Sequence, residues 1–469
     1  SRVHCPHSRR AFTERVTDIM NGSCEGLVYT DLGLMAPRLL LPKEGTDMRK
    51  WSVVACDQYS SEPAYWERVV KFVGDDVSML KLVFPEVYLP QKRDEEIIAD
   101  ILKHMEKYRA EGVLVPTEPG FVLVDRKTPA EESRLGLVVS LDLELYSFQK
   151  GSQSLIRPTE KTIEARLPPR IAIRKDAPFE SPHILVLIDD PERSVIEPLS
   201  QRRDTMAKLY DFDLMEDSGH LTGYHVSCKE DMDAVADALR KLASKERFQQ
   251  KYNAGDDQSP ILFAVGDGNH SLATAKQCWE NLKRTGASMD HPARFALVEL
   301  INVHDDALCL FPIHRLVEGV DPQDMMATLF KFFESEGSTV SFEEGARIAA
   351  NESVGAEICH QFDFLSQKQC GVVTVSKPKM VLAAATLDSW LNVYIEQNGK
   401  AQLDFVHEEY TIEAKCKAEA TTVGFLLPTI NKDDLLKTVV REGTLPRKTF
   451  SMGHALEKRF YCECRAILP

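Results

Sequence analysis

The chain of 469 residues carries a formal net charge of −15, 43% hydrophobic and 28% charged residues. That length points to two or three domains and that composition to a soluble globular protein, while the negative charge disfavours nucleic acid as the main partner, because polyanion affinity rests on Lys and Arg neutralising phosphates. No apolar run approaches the roughly 20 residues that span a bilayer, Ile184 to Ile188 being typical, so no membrane partner is expected.

The first twenty residues hold Arg2, Arg9, Arg10 and Arg15 against Glu14 and Asp18. They suit either an amphipathic helix built on Phe12, Val16, Ile19 and Met20 or the remnant of an organellar transit peptide. The chain begins with Ser, which implies processing or truncation. Strand-like pieces follow at Leu27 to Tyr29 and Trp51 to Ala55. A helix is predicted from Pro63, with Ser60 and Ser61 as caps and Glu62 in its first turn. A long amphipathic helix carries Ile97, Ile98, Ile101, Leu102 and Met105.

From Phe121 onward strands dominate: Phe121 to Val124, Leu135 to Ser140, Ile171 to Ile173, Ile184 to Ile188, Gly223 to Ser227, Ile261 to Val265 and Phe295 to Val303. Helices are predicted around Glu197 to Tyr210 and from Asp231 to Gln250. The last third mixes helices at Asp324 to Glu334, Ser389 to Gln397 and Lys432 to Arg441 with strands at Gly371 to Val375 and Val423 to Leu427. The irregular interleaving favours a mixed α+β fold over a doubly wound sheet. The domain expectation is an extension over 1–25, an α/β segment over 26–115, a central α+β domain over 116–320 and a C-terminal α/β domain over 321–469.

The eleven cysteines form no CxxC pair and no zinc-type spacing. An odd, scattered set suits reduced thiols and a cytoplasmic or organellar-matrix location. The sequon Asn269-His-Ser271 falls inside a turn where a sugar would be buried, which argues the same way.

That turn, Gly266-Asp-Gly-Asn-His-Ser271, carries the chemistry. It joins the apolar run ending at Val265 to Leu272, Ala275, Trp279 and Leu282 at helical spacing. Gly266 and Gly268 permit a tight turn, and the first amides of the helix face whatever sits in it. Asn269, His270 and Ser271 add side-chain donors. Asp267 would repel a phosphate unless it bridges through Mg²⁺ or bonds the turn's own amides. A helix terminus contributes roughly 0.3 to 2 kcal/mol, against about 8 kcal/mol for micromolar affinity, so further groups must supply cations and a base. The candidates are Arg157 and Glu160 in Arg157-Pro-Thr-Glu160-Lys-Thr162, which mixes both charges with hydroxyls as a clamp would and is equally readable as a surface loop, and Lys448 in Leu445-Pro-Arg-Lys448, two cations beside hydroxyls that alone would be unremarkable. Asp57, in the turn after Ala55, is a candidate base or part of a helix-capping turn. His304, His314 and His407 lie beside charged neighbours and would serve a metal if they met. The nucleotide signatures GxxxxGK[ST] and GxGxxG, and HExxH and GxSxG, are absent from the sequence.

The blocks Ala55-Cys-Asp-Gln-Tyr-Ser-Ser-Glu-Pro-Ala-Tyr-Trp66, Phe84-Pro-Glu-Val-Tyr88, Ile156-Arg-Pro-Thr-Glu160, Gly266-Asp-Gly-Asn-His-Ser271, Ala293-Arg-Phe-Ala-Leu-Val-Glu299 and Leu445-Pro-Arg-Lys-Thr-Phe-Ser-Met-Gly453 resemble, in order, those of domain of unknown function 1015. The turn resembles the phosphate box of the ParB and sulfiredoxin-like superfamily, which includes free-serine kinases. The resemblance implies a ParB/sulfiredoxin-like core with added α/β elements and binding of ATP or ADP with Mg²⁺. It further implies phosphate transfer to a small hydroxyl metabolite such as serine. Gly266, Asp267, Gly268, Asn269, His270 and Ser271 would hold phosphates, with Asp267 on the metal and Arg157, Glu160 and Lys448 as clamps. Asp57, Glu62 and His270 would supply acid/base chemistry. Ser271 stands where the family's motif has Arg, and Asn269 where it has His, so Arg157, Lys448 or Mg²⁺ must compensate or the ligand has changed. Two alternatives remain: a nucleotide-binding switch, with homo-oligomerisation as its readout, and a metal-dependent hydrolase.

Overall fold

Val122, Leu123 and Val124 are consecutive and fully buried, which requires a strand covered on both faces. The computed structural model, which describes residues 26–91, 94–129, 133–348 and 358–468, supplies that cover. The N-terminal helix expected over the first twenty residues lies outside the described residues. The described residues gather into two units, one of 26–158, 162–308 and 454–468 and the other of 159–161 and 309–453. Residues 26–115 and, apart from 159–161, 116–308 thus share one unit, which also takes in 454–468.

The first unit is built on a mixed ten-stranded sheet. Its main path runs Ala207–Asp213, His220–Val226, Phe121–Lys127, Ser133–Asp142, Phe295–Asn302, Leu185–Ile188, Phe263–Asp267 and Ile156–Pro158. Pairing is antiparallel as far as Phe295–Asn302, which lies parallel to Leu185–Ile188. Phe263–Asp267 is then antiparallel to Leu185–Ile188 and parallel to Ile156–Pro158. Alternate residues feed two cores: Leu123, Leu137, Val265, Leu272 and Trp279 on one face, and Val122, Val138, Leu297, Trp66 and Met105 on the other. The mixed α+β class expected from the sequence is what the chain forms.

Three local expectations are corrected. Ile171 to Ile173 is helical, inside Leu167–Arg174, where Pro168 and Pro169 start a helix and leave the isoleucines half-buried. The helix around Glu197 to Tyr210 shrinks to Glu197–Ser200, and Ala207–Asp213 is an edge strand whose Tyr210 ring fills the space above Gly223. Trp51 closes one helical turn, Met48–Trp51, capped by Asp47, while Val53 to Ala55 pair with Arg459 to Tyr461 near the C-terminus. The helix predicted from Pro63 is Pro63–Val73, with Glu62 rather than a serine at its N-cap.

The second unit holds a six-stranded antiparallel sheet in the order Thr339–Glu344, Cys370–Ser376, Cys359–Leu365, Thr422–Leu426, His314–Glu318 and Gln402–Val406. Helices Pro322–Ser335 and Ala383–Gln397 pack Leu329, Phe333, Trp390 and Leu391 against Phe362, Phe364 and Phe425. Among the described residues no helix is long and apolar enough to cross a membrane.

Candidate functional site

The strand Phe263–Asp267 leads through Gly268 into the helix Asn269–Arg284. Gly268 sits at φ 81°, ψ 28° as the helix N-cap. A Cβ there would lie 3.0 Å from Ile184 Cγ1 and 3.1 Å from its Cα, so glycine is required by backbone conformation and by contact. The first intrahelical bond is Leu272 N–H to Gly268 C=O, which leaves the amides of Asn269, His270 and Ser271 ahead of the ladder. Asp267 bonds its own turn: Oδ1 accepts from the Gly268 N–H at 2.9 Å. Its Oδ2 accepts from Lys458 Nζ at 3.1 Å, and that lysine is buried. The turn therefore has a cation of its own.

His270 Nε2 accepts the Ile163 N–H at 3.2 Å, which engages the lone pair a base would use and ties residues 162–163 over the helix start. Two buried side-chain oxygens in this region, Thr162 Oγ1 and Asn269 Oδ1, have no hydrogen-bond partner. Ser271 Oγ lies 3.1 Å from His183 Nε2, and His183 Nδ1 lies 2.9 Å from the Tyr461 hydroxyl. That hydroxyl accepts the Cys56 N–H at 3.3 Å. Burial, then the neighbouring Cys56, drives the Tyr461 phenol well above its ordinary range. Burial, reinforced by the charge of Asp57, pushes the Cys56 thiol up to about 12, so it stays a thiol.

Ser271, His183, Tyr461 and Cys56 share the wall of a cavity of about 370 Å³. Its other sides are mostly apolar, from Met79, Leu82, Phe84, Ile98, Ile173 and Leu297. Charged groups on the wall are largely paired. Arg170 bonds Glu86, and Glu180 accepts from Arg174 at 2.6 Å and from Arg465 at 2.7 Å. Burial raises the Glu86 carboxyl against the pull of Arg170. At Glu180 burial is outweighed by the two guanidinium groups, and the carboxyl is lowered.

The predicted residues divide. Asp57 is half-buried beside Cys56, with Oδ1 accepting from Gln58 Nε2 at 3.2 Å, and its charge acts on both Cys56 and Tyr461. Glu62 is exposed at the N-cap of Pro63–Val73. Arg157 departs from its expected role as a clamp: it is buried, Nε donates to the Ser154 carbonyl at 2.7 Å and Nη2 to the Ser259 carbonyl at 2.6 Å. It is a staple between loops. Glu160 bridges Leu445 within the second unit. Lys448 also belongs to that unit, at φ 52°, its ammonium 5.3 Å from the Phe405 ring centre and its carbonyl accepting from Arg315.

The histidines expected to meet around a metal are engaged elsewhere. His304 bonds Asp189 at 2.7 Å in the first unit, and His314 Nδ1 accepts the Leu427 N–H in the second. Among the described residues no group of three or more His, Cys, Asp or Glu is arranged to hold a metal. Lys458, His183 and Tyr461 were not singled out by the sequence. Lys458 is 191 positions from Asp267, and no local spacing links the two.

Among solved structures, a free serine kinase in complex with AMP is similar at 12% identity over 69% of this chain and 90% of its own, with a TM-score of 0.36. A conserved hypothetical protein from Pyrococcus furiosus is similar at 12% identity over 71% of this chain and 95% of its own, with a TM-score of 0.34. SbnI with a C-terminal truncation, from Staphylococcus aureus, is similar at 11% identity over 67% and 83%, with a TM-score of 0.29. No curated protein matches the chain in sequence. Residues 40–404, more than three quarters of the chain, match the family described as protein of unknown function (DUF1015), and the chain belongs to that family.

Proposed function

We propose that this protein is a nucleotide-dependent phosphotransferase that moves phosphate from ATP or ADP to a small hydroxyl metabolite, with the turn from Gly266 to Ser271 as its phosphate cradle. The observation that carries the reading is the buried Lys458 ammonium 3.1 Å from Asp267, at a glycine turn that opens a helix. Helix-start amides alone contribute too little for nucleotide affinity, whereas a charge-assisted hydrogen bond adds about 1.5 to 3 kcal/mol. Lysine is a common phosphate partner and here takes the place of the arginine that the resemblance implies at position 271.

The unpartnered Thr162 Oγ1 and Asn269 Oδ1 fit a polar ligand at the same place. Asp267 suits Mg²⁺ only as an ion brought in with the nucleotide, since such ions need one or two protein carboxylates and otherwise bind phosphates and water. When bound, the ion would neutralise charge on the phosphates. The Asn269 and Ser271 amides with Lys458 would orient the phosphates, and Asp57 would take the acceptor's proton. Phosphoryl transfer asks little more of a protein than such positioning and neutralisation.

The test is incubation with ATP, ADP or CTP, Mg²⁺ and a pooled metabolite mixture, followed by mass spectrometry for a compound that gains phosphate. A phosphorylated product dependent on Lys458 is expected. Nucleotide binding without product would favour the switch, and no thermal shift with any nucleotide would remove both readings.

A further inference from the structure

The turn and the cavity meet at Ser271, which is both a helix-start residue and part of the cavity wall. We propose that this cavity is the acceptor site and that it takes a neutral alcohol with an apolar body, its hydroxyl at Ser271 and His183. The identity of the bound molecule as an acceptor rests on the phosphotransferase reading; its chemistry does not.

The volume of about 370 Å³ has room for roughly a dozen water-sized groups, more than free serine would fill. The wall tells against a zwitterion as well. A buried ammonium or carboxylate needs a fixed opposite charge. Of the lining cations, Arg170 is matched by Glu86 and Arg174 by Glu180, which also accepts from Arg465 outside the lining. Glu95 is the remaining charged lining group among the described residues, and it is exposed on the helix Asp94–Ala110. The polar end instead offers the Ser271 hydroxyl and the His183 ring, 3.1 Å apart, with Tyr461 behind. Hydroxyl and imidazole groups match an alcohol, which both donates and accepts. Beyond that end the wall is mostly hydrocarbon, from Met79, Leu82, Phe84, Ile98, Ile173 and Leu297, for which a chain or ring system is the complement.

The test uses the full chain without nucleotide and a series of straight-chain primary alcohols, read by displacement of the neutral fluorophore N-phenyl-1-naphthylamine. Each added methylene should tighten binding about fourfold. The gain should level off at roughly a dozen carbons, when the space is filled. Ala172→Trp, on the cavity wall, should remove the gain for long alcohols and spare short ones; Ile173→Phe serves if that variant melts early. Ser271→Ala should weaken every length by the same factor and leave the slope unchanged. Affinity independent of chain length, or a length dependence untouched by both wall variants, overturns the assignment, as does saturable binding of serine in place of the alcohols. Alcohol binding without phosphate transfer under any nucleotide would sink the phosphotransferase reading and leave the cavity assignment standing.

Discussion

Replacing Lys458 by Met tests whether the cation at the turn serves a ligand or only Asp267. At 3.1 Å the pair attracts by about 5 kcal/mol if the effective dielectric constant is about 20. The side chains are 10% and 23% exposed, so removing the ammonium from a partly wet Asp267 should cost about 2 kcal/mol of stability, below the range for a fully buried pair. The nucleotide loses more. It forfeits one charge-assisted bond and then meets an uncompensated carboxylate, which together should raise its Kd about a hundredfold, or about 2.7 kcal/mol. Calorimetric titration of ADP and ATP with Mg²⁺ at fixed ionic strength measures this directly. Adding Asp267→Asn to the Lys458→Met chain removes the repulsion and should recover part of both losses. If Lys458→Met melts early yet binds nucleotide as the parent does, Lys458 is only a counter-ion and the cradle lacks its cation.

Gly268→Ala should lower stability by about 1 to 2 kcal/mol from the left-handed backbone alone, with the Ile184 contact added, and should weaken nucleotide binding by moving the helix start; melting and titration together check it. Arg157→Met should lower the melting temperature and leave nucleotide Kd unchanged, because its described bonds go to loop carbonyls. Burial, helped by the nearby Arg315 and His407, lowers the His314 imidazole from 6.5 to about 4. The unfolded chain therefore takes up this proton first as pH falls, and about 3 kcal/mol of stability is lost between pH 6.5 and 4. Urea midpoints at pH 7 and 4.5 should differ in the parent and converge in His314→Asn.

How far the sequence reached depended on whether the deciding contacts were local. Gly266 to Ser271 was legible because strand, turn and helix start follow one another along the chain, and the structure keeps them so. Ala207–Asp213 was not, because the matching space for Tyr210 is made by the missing side chain of Gly223 on the neighbouring strand. Ile171 to Ile173 read as a strand because β-branched residues outweighed the two prolines before them, which set a helix start. Arg157 was placed near the turn by its strand, which pairs with Phe263–Asp267, yet its side chain goes the other way into the loop around Ser259. His183 and Tyr461 meet across 278 positions, a separation no motif describes.

On the proposed reading, Lys458 would stand in for the arginine that the resemblance implies at position 271. The lysine is mounted on a buried ionic frame: the next residue, Arg459, bonds Glu299, Glu463 and the Pro182 carbonyl, and Glu463 accepts from Tyr210. Glu299 has room to reach Arg459 because Gly136 faces it without a side chain; a Cβ there would lie 2.0 Å from Glu299 Oε1. Backbone pairing of Ala55 with Arg459 and of Val53 with Tyr461 fixes the same segment to the body. A cation held this rigidly loses little side-chain entropy on meeting a phosphate, so a second one on the helix start adds less. Position 271 is then available for the hydroxyl that faces His183 and the cavity. Ser271→Arg should accordingly abolish alcohol displacement of the fluorophore by filling the polar end, while tightening nucleotide by less than the hundredfold that Lys458→Met loses. A gain as large as that loss would mean that the two positions had not exchanged the work of neutralising phosphate.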